Sequence, residues 1–279
     1  MTIAAIHRPA KTNMADLIVT IDGPAASGKS TVARLLAEKL DASFLDTGAM
    51  YRAVTLAAMQ AGIDLSDRQK LLEIARTCDF QFSAGAGKTT VYLDNVDVSE
   101  QIRDPEVTAN ARYIAGAPDV RSKLVRMQRK FAAGREKVVT EGRDQGTVAF
   151  ADADVKFFLT ADPAERARRR QADLKASLHK PCAKKVQRGE AVPASVGTEQ
   201  GQDALATRGR DARDTNDNDQ SLEQIQRAIE ERDKSDQSRD VGPLKPAEDA
   251  IIVDTTALTV DEVVEKLLKF VKERCSKNN

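Results

Sequence analysis

Residues Gly23-Pro24-Ala25-Ala26-Ser27-Gly28-Lys29-Ser30 spell G-x-x-x-x-G-K-[ST], the phosphate-cradling P-loop pattern. Its flanks give the pattern meaning. Before it, Leu17–Ile21 is an apolar run that reads as a buried strand. After it, Val32, Leu35, Leu36 and Leu40 recur on one helical face. A glycine-rich turn between strand and helix lets successive backbone N–H groups face phosphate oxygens, beside a helix N-terminus that favours negative charge. The chain is thus constrained to build a strand–loop–helix unit that binds a nucleoside triphosphate. Gly23 through Ser30, with Thr31, would line the phosphates. Lys29 would reach the β- and γ-phosphates, and the Ser30 hydroxyl would sit on Mg²⁺.

Further strands are expected at Ser43–Leu45, Lys137–Thr140, Val155–Leu159 and Ala250–Asp254, with helical patterns between them. That alternation predicts βα units and a mainly parallel sheet. Two helix starts are well marked. Asp162-Pro163-Ala164-Glu165 offers an N-cap and a first-turn proline. Thr259-Val260-Asp261-Glu262 has capping-box form, followed by Val263, Val264, Leu267, Leu268 and Val271 at helical spacing. Between Asp79 and Val98 the pattern changes to that of a small antiparallel hairpin. Gly85-Ala86-Gly87-Lys88-Thr89 inside it imitates a second P-loop, but Phe82 occupies the first-glycine position and no helix follows.

From Lys175 to about Ser221 the chain is polar and lacks aromatic residues, a composition that cannot bury enough apolar surface to fold alone. A surface insertion without fixed structure is expected there. Its Asp214–Asp219 run lacks the glycine and distal glutamate of a calcium loop. Residues 1–15 read as a flexible leader without the long apolar core of a signal peptide.

The 279 residues suit one domain with insertions or two small ones. With Lys+Arg and Asp+Glu both at 43, the formal charge is zero, so no general grip on nucleic acid or an anionic membrane is indicated. Cys78, Cys182 and Cys275 are scattered, as reduced thiols of a cytoplasmic protein would be.

A P-loop alone does not name the reaction. The D-x-x-G and N-K-x-D signatures of guanine-nucleotide switches are absent from the chain. Instead, basic and acidic clusters follow successive strands: Asp46-Thr47-Gly48-Ala49-Met50-Tyr51-Arg52, then Glu141-Gly142-Arg143-Asp144-Gln145-Gly146-Thr147. Arg166, Arg168, Arg169 and Arg170 crowd one helix, and Arg232 through Arg239 form a last cluster. With Ile102-Arg103, Pro118-Asp119-Val120-Arg121, Lys156–Ala161 and Pro243-Leu244, these blocks resemble the bacterial-type cytidylate kinases. That family belongs to the P-loop nucleoside-monophosphate kinases. The likeness runs from about Leu17 to Lys272, broken only by the polar insertion.

The resemblance implies an α/β P-loop kinase core with a five-stranded parallel sheet flanked by helices. A single domain would span residues 16–279, with a nucleoside-monophosphate-binding insert near 62–120 that carries the hairpin. The lid would span about 165–240 and hold the insertion at about 178–218. It implies ATP-dependent phosphorylation of CMP and dCMP, with Mg²⁺, by a monomer. Lys29, Arg52, Arg143 and Arg232 would be catalytic, and Arg168 would join the loop on ATP. Asp46, Thr47, Tyr51, Arg52, Arg121, Arg143, Asp144, Arg232, Asp236 and Arg239 would bind the acceptor. Asp144 and Thr47 would take the cytosine amine, Arg121 the N3 and O2 side, and Asp236 with Arg232 the ribose hydroxyls. Glu141 would assist the metal.

Plainer readings of the same residues stand beside these. Asp46 also suits a helix cap, Tyr51 a packed aromatic, Glu141 a surface acid and Arg166–Arg170 a solvated face. Arg112 occupies a position where many relatives carry a small hydroxyl residue near the base, and relatives have a short link where this chain has its insertion. Other acceptors (UMP, AMP or shikimate) and a non-catalytic ATP-binding regulator are the competing functions. Asp144 with Arg121 argues for cytosine, the hairpin insert against the shikimate type, and the arginine set against a mere binder.

Overall fold

A computed structural model describes residues 14–85, 88–178 and 221–276. Residues 1–13, both histidines and the insertion expected at about 178–218 lie outside the described residues, save for the end of the helix that leads into the insertion; of the expected leader, Ala15 is buried in the core with Met14 packed against it. Strand β1 (Leu17–Asp22) runs into the glycine-rich loop and helix α1 (Lys29–Leu40). Next come β2 (Ser43–Asp46), α2 (Thr47–Gln60), α3 (Arg68–Thr77) and the strands β3 (Phe80–Gly85), β4 (Lys88–Leu93) and β5 (Val96–Asp97). Helices α4 (Pro105–Ala115) and α5 (Pro118–Ala132) lead to β6 (Lys137–Gly142), a π-helical turn (Gln145–Ala149) and β7 (Val155–Thr160). The chain closes with α6 (Pro163–Leu178), α7 (Leu222–Gln237), β8 (Ile251–Asp254) and α8 (Val260–Ser276).

Five strands form a parallel sheet in the order β2-β6-β1-β7-β8, while β3, β4 and β5 make a separate antiparallel sheet. Four of the expected strands continue one or two residues further at their C-terminal ends. Asp22 pairs in register with Gly142, and Asp46 with Glu141. Ligands of open α/β sheets bind at those ends, so the extra residues are the ones placed toward the site. Lys88–Leu93 is a strand, so the P-loop imitation is part of a hairpin, and Thr89 docks it by donating to the Phe44 carbonyl at 3.4 Å.

Alternation along the strands divides the core between the two sheet faces. Ile18 packs with Leu45, Met50, Val54, Leu124 and Phe150 on the face covered by α2 and α5. Val19 and Ile21 pack with Val32, Leu36, Phe157 and Leu159 beneath α1 and α8. Leu35 and Leu40 sit at the margin of that second cluster, half-buried. A smaller cluster of Ala25, Ala167, Ile225 and Ile229 fastens α6 and α7 to the glycine-rich loop.

The marked helix starts form as read. Asp162 accepts from the Ala164 N–H at 2.8 Å, and Thr259 and Glu262 exchange capping-box bonds. Helix α7 has a capping box of its own, from Ser221 and Gln224.

Candidate active site

Gly23 passes so close to the Leu159 carbonyl of β7 that a Cβ would collide with it, at a φ of 152° that disfavours side chains. Further along the loop Ala26 holds a left-handed φ of 57°, and Gly28, at φ 84°, caps α1. Lys29 is buried and donates from Nζ to the Pro24 carbonyl at 2.8 Å, which Ser27 Oγ also approaches at 3.1 Å. The Ala25 N–H donates to Asp233 at 3.0 Å, so this loop amide is committed to protein and not to a phosphate. Ser30 and Thr31 are exposed at the start of α1.

Ser30 Oγ donates to Glu141 Oε1 at 2.9 Å. Glu141 is buried, in register with Asp46, and burial followed by the Asp46 charge raises its pKa. Asp46 is pulled below the usual range: burial pushes it up, but the Arg52 guanidinium and the Ala49 N–H outweigh that. Asp46 thus caps α2 at 2.9 Å, as its plainer reading had it, and pairs with Arg52 at 3.1 Å. Ser30, Glu141 and Asp46 offer a hydroxyl and two carboxylates, oxygen donors of the kind Mg²⁺ prefers, and would be the residues to hold that ion.

The remaining arginines gather opposite the loop. Arg143 donates from Nε to Asp236 at 2.8 Å and to its neighbour's carbonyl on Gly142. Arg239 pairs with the other oxygen of Asp236. These partners and Arg232 hold Asp236 below the carboxylate range against the burial that would raise it. Arg232 is exposed on α7 and makes no hydrogen bond or ion pair among the described residues. Partial desolvation, and then the charge of Arg143, bring its pKa down to about 10. Lys29 is lowered further, to about 7, by burial and then by Arg143, with Glu141 opposing. The Nε of Arg52 is buried without a partner.

Arg121 and Asp144 form a buried ion pair, Arg121 also donating to the Ala115 carbonyl at 3.3 Å and lying over the Tyr51 ring at 5.7 Å. Tyr51 thus packs between the core and Arg121, and burial lifts its hydroxyl to about 12. Burial raises the Asp144 carboxyl while Arg121 opposes the shift. Gly242, at φ 63°, lies over the pair so closely that a side chain there would meet both partners. Thr47 donates its hydroxyl proton to the Glu141 carbonyl at 2.7 Å, leaving oxygen lone pairs as acceptors. Arg121 Nε is buried and unpartnered.

Arg166 does not belong to a solvated face: it is buried, pairs with Asp233 and donates to the Ala25 carbonyl at 3.2 Å. Arg168 is 64 % exposed and turned onto Glu165 of its own helix at 2.8 Å, while Arg169 reaches the Thr255 hydroxyl at 3.0 Å. Arg112 is exposed and its guanidinium lies over the ring of its neighbour Tyr113 at 5.0 Å.

Two buried acids escaped the sequence reading. Asp22 accepts from the Gln145 and Gly146 N–H groups at 2.9 and 2.8 Å, joining the end of β1 to the turn that follows Arg143 and Asp144. A lone aspartate closing an apolar strand was its only signal. Asp233 was hidden inside a charged run.

The family model for cytidylate kinase matches residues 19–188 and 202–273. The chain belongs to the cytidylate kinase family. Curated cytidylate kinases from Rhodopirellula baltica and Limosilactobacillus reuteri are 42% and 41% identical to it over 257 residues. These alignments cover 92% of this chain and 93% and 96% of the relatives. The Corynebacterium efficiens cytidylate kinase is 37% identical over 263 residues, covering 94% of this chain and 97% of its own. The likeness to the cytidylate kinases therefore extends over nearly the whole sequence.

Proposed function

We propose that this chain transfers the γ-phosphoryl group of ATP to CMP and dCMP, with Mg²⁺ as cofactor. One observation carries the reading: Lys29 and Arg232 have lowered pKa values, first from burial and then from the neighbouring cations, Arg143 beside both and Arg52 beside Arg232. Cations crowd this way where the bound state supplies several negative charges. A donor triphosphate on the loop and an acceptor phosphate among the arginines meet that need.

Both reactants are polyanions, so catalysis rests on positioning and charge neutralisation. The acceptor oxygen belongs to a phosphate that is ionised near neutral pH, so no side chain has to remove its proton. Arg52, with its uncommitted Nε, and Arg143 would grip that phosphate, and planar guanidinium forks suit the task. Arg232 would bridge donor and acceptor. Lys29 would leave the Pro24 carbonyl for the β- and γ-phosphates, whose charge returns its proton. Ser30, with Glu141 and Asp46 behind it, would hold Mg²⁺, which neutralises charge on the transferring group when bound.

Cytosine is favoured by the pairing of an acceptor with a donor. Asp144 and the Thr47 lone pairs accept, as the N4 amine requires, and Arg121 donates to N3 and O2. Uracil would set a carbonyl against Asp144, and a mismatch of buried polar groups discriminates by orders of magnitude. Asp236 has lone pairs left for ribose hydroxyls beyond those used by Arg143 and Arg239.

ADP release measured with CMP, dCMP, UMP, AMP and shikimate as acceptors tests the reading. CMP and dCMP should lead. Equal turnover of UMP defeats the base assignment, and turnover of none defeats the kinase assignment.

A further inference from the structure

Helix α7 touches both halves of the cleft. Arg232 and Asp236 turn toward the acceptor side, where Asp236 holds Arg143 and Arg239. Asp233, on the same helix and one turn from Asp236, faces the donor loop instead. Its Oδ1 accepts from the Ala25 N–H at 3.0 Å, and its Oδ2 pairs with Arg166 of α6. Arg166 closes the ring by donating to the Ala25 carbonyl at 3.2 Å. Both polar groups of one loop residue are therefore held by a buried ion pair that spans two helices.

The next loop residue, Ala26, sits in the left-handed region that side chains disfavour. Such a conformation persists where its surroundings over-determine it. The ring around Ala25 and the apolar cluster of Ala25, Ala167, Ile225 and Ile229 do so here. A shift of α7 cannot leave the loop where it is, because helix and loop share these contacts.

We infer that Asp233 and Arg166 are positioning residues that couple the two substrate sites: an acceptor engaging Asp236 and Arg232 sets α7, and the clamp carries that setting to the phosphate-binding loop. Neither residue touches a reacting group. The coupling is reciprocal, so each substrate should tighten the other by one common factor. This rests on the reading of Asp236 and Arg232 as acceptor-side residues.

The test is calorimetric, on the full chain. The dissociation constant of CMP is measured alone and with saturating β,γ-methylene ATP and Mg²⁺. In the unmodified protein the ratio should be about fivefold or more. Asp233→Asn keeps an oxygen for the Ala25 N–H but loses the charge that holds Arg166, and Arg166→Gln removes the cation. In both variants the ratio should fall toward one while CMP binding alone changes less than about twofold, within the scatter of uncoupled sites. Thermal unfolding confirms that each variant folds, and the second stands in if the first does not. A ratio of one in the unmodified protein, or an unaltered ratio in a folded variant, overturns the proposal. Asp236→Ala separates the two readings: unchanged CMP affinity there refutes the acceptor-side placement itself, whereas weakened affinity with an unaltered ratio in Asp233→Asn refutes only the clamp.

Discussion

Asp22 and Lys29 stand at opposite ends of one loop, and burial acts on them in opposite senses. Asp22 is raised from 3.8 to about 7, because desolvation outweighs the two backbone N–H groups it accepts from. Between those values the folded protein keeps a proton that the unfolded chain has released. Stability supplied by this group is thus present at low pH and is lost as pH rises from about 4 to about 7. The loss amounts to roughly 4 kcal/mol for a shift of this size. Urea unfolding of the parent and Asp22→Asn across that interval checks it: the variant's stability should decline less steeply, and parallel profiles refute the assignment. Lys29→Ala makes a different statement. Circular dichroism should stay native while kcat falls by about a hundredfold or more, the usual cost of losing a placed charge at a developing anion. Normal turnover would remove Lys29 from the mechanism.

At the scale of elements, α7 reaches both sides, the glycine-rich loop through Asp233 and the acceptor-side arginines through Asp236. Its N-terminus is fixed by Ser221 and Gln224. Ser221→Ala should cost about 1 kcal/mol and lower the melting temperature by a few degrees, read by calorimetry. No change would mean that packing on Ala25 and Ala167 alone sets where the helix begins. The elements themselves were largely legible. Apolar runs marked all five strands of the parallel sheet, and the cap signals at Asp162 and Thr259 fell where α6 and α8 start. What escaped was the polar end of strands: Asp22, Asp46, Glu141 and Gly142 are weak strand formers by propensity, yet the parallel ladder continues through them. The long-range ring was hidden for another reason. Arg166 and Asp233 lie 67 positions apart and Ala25 lies 208 from Asp233, so only the folded packing reveals why a charged helix contributes two buried ions. Arg143 and Asp144 stood out because they come directly after the β6 strand, while the roles given to them and to Arg52 rest on the family resemblance.

Over the whole molecule the formal charge is zero, yet cations converge on one cleft. The field felt by an incoming nucleotide is therefore local, and it comes from groups partly open to solvent. Mobile ions screen such a field over about 10 Å at 0.1 M and about 3 Å at 1 M. Binding of an anionic acceptor should suffer from added salt, whereas the chemical step, enclosed among fixed charges, should suffer less. Steady-state kinetics with KCl raised from roughly 0.05 to 0.5 M should show KM for CMP climbing severalfold with kcat nearly constant. Arg232→Gln should flatten that climb, because it removes the exposed cation, and should lower kcat as well if Arg232 bridges donor and acceptor. A salt response identical in Arg232→Gln would mean that Arg52 and Arg143, held by Asp46 and Asp236, supply the attraction by themselves. A fall in kcat without any rise in KM would place the salt-sensitive charge in the transition state and not in acceptor capture.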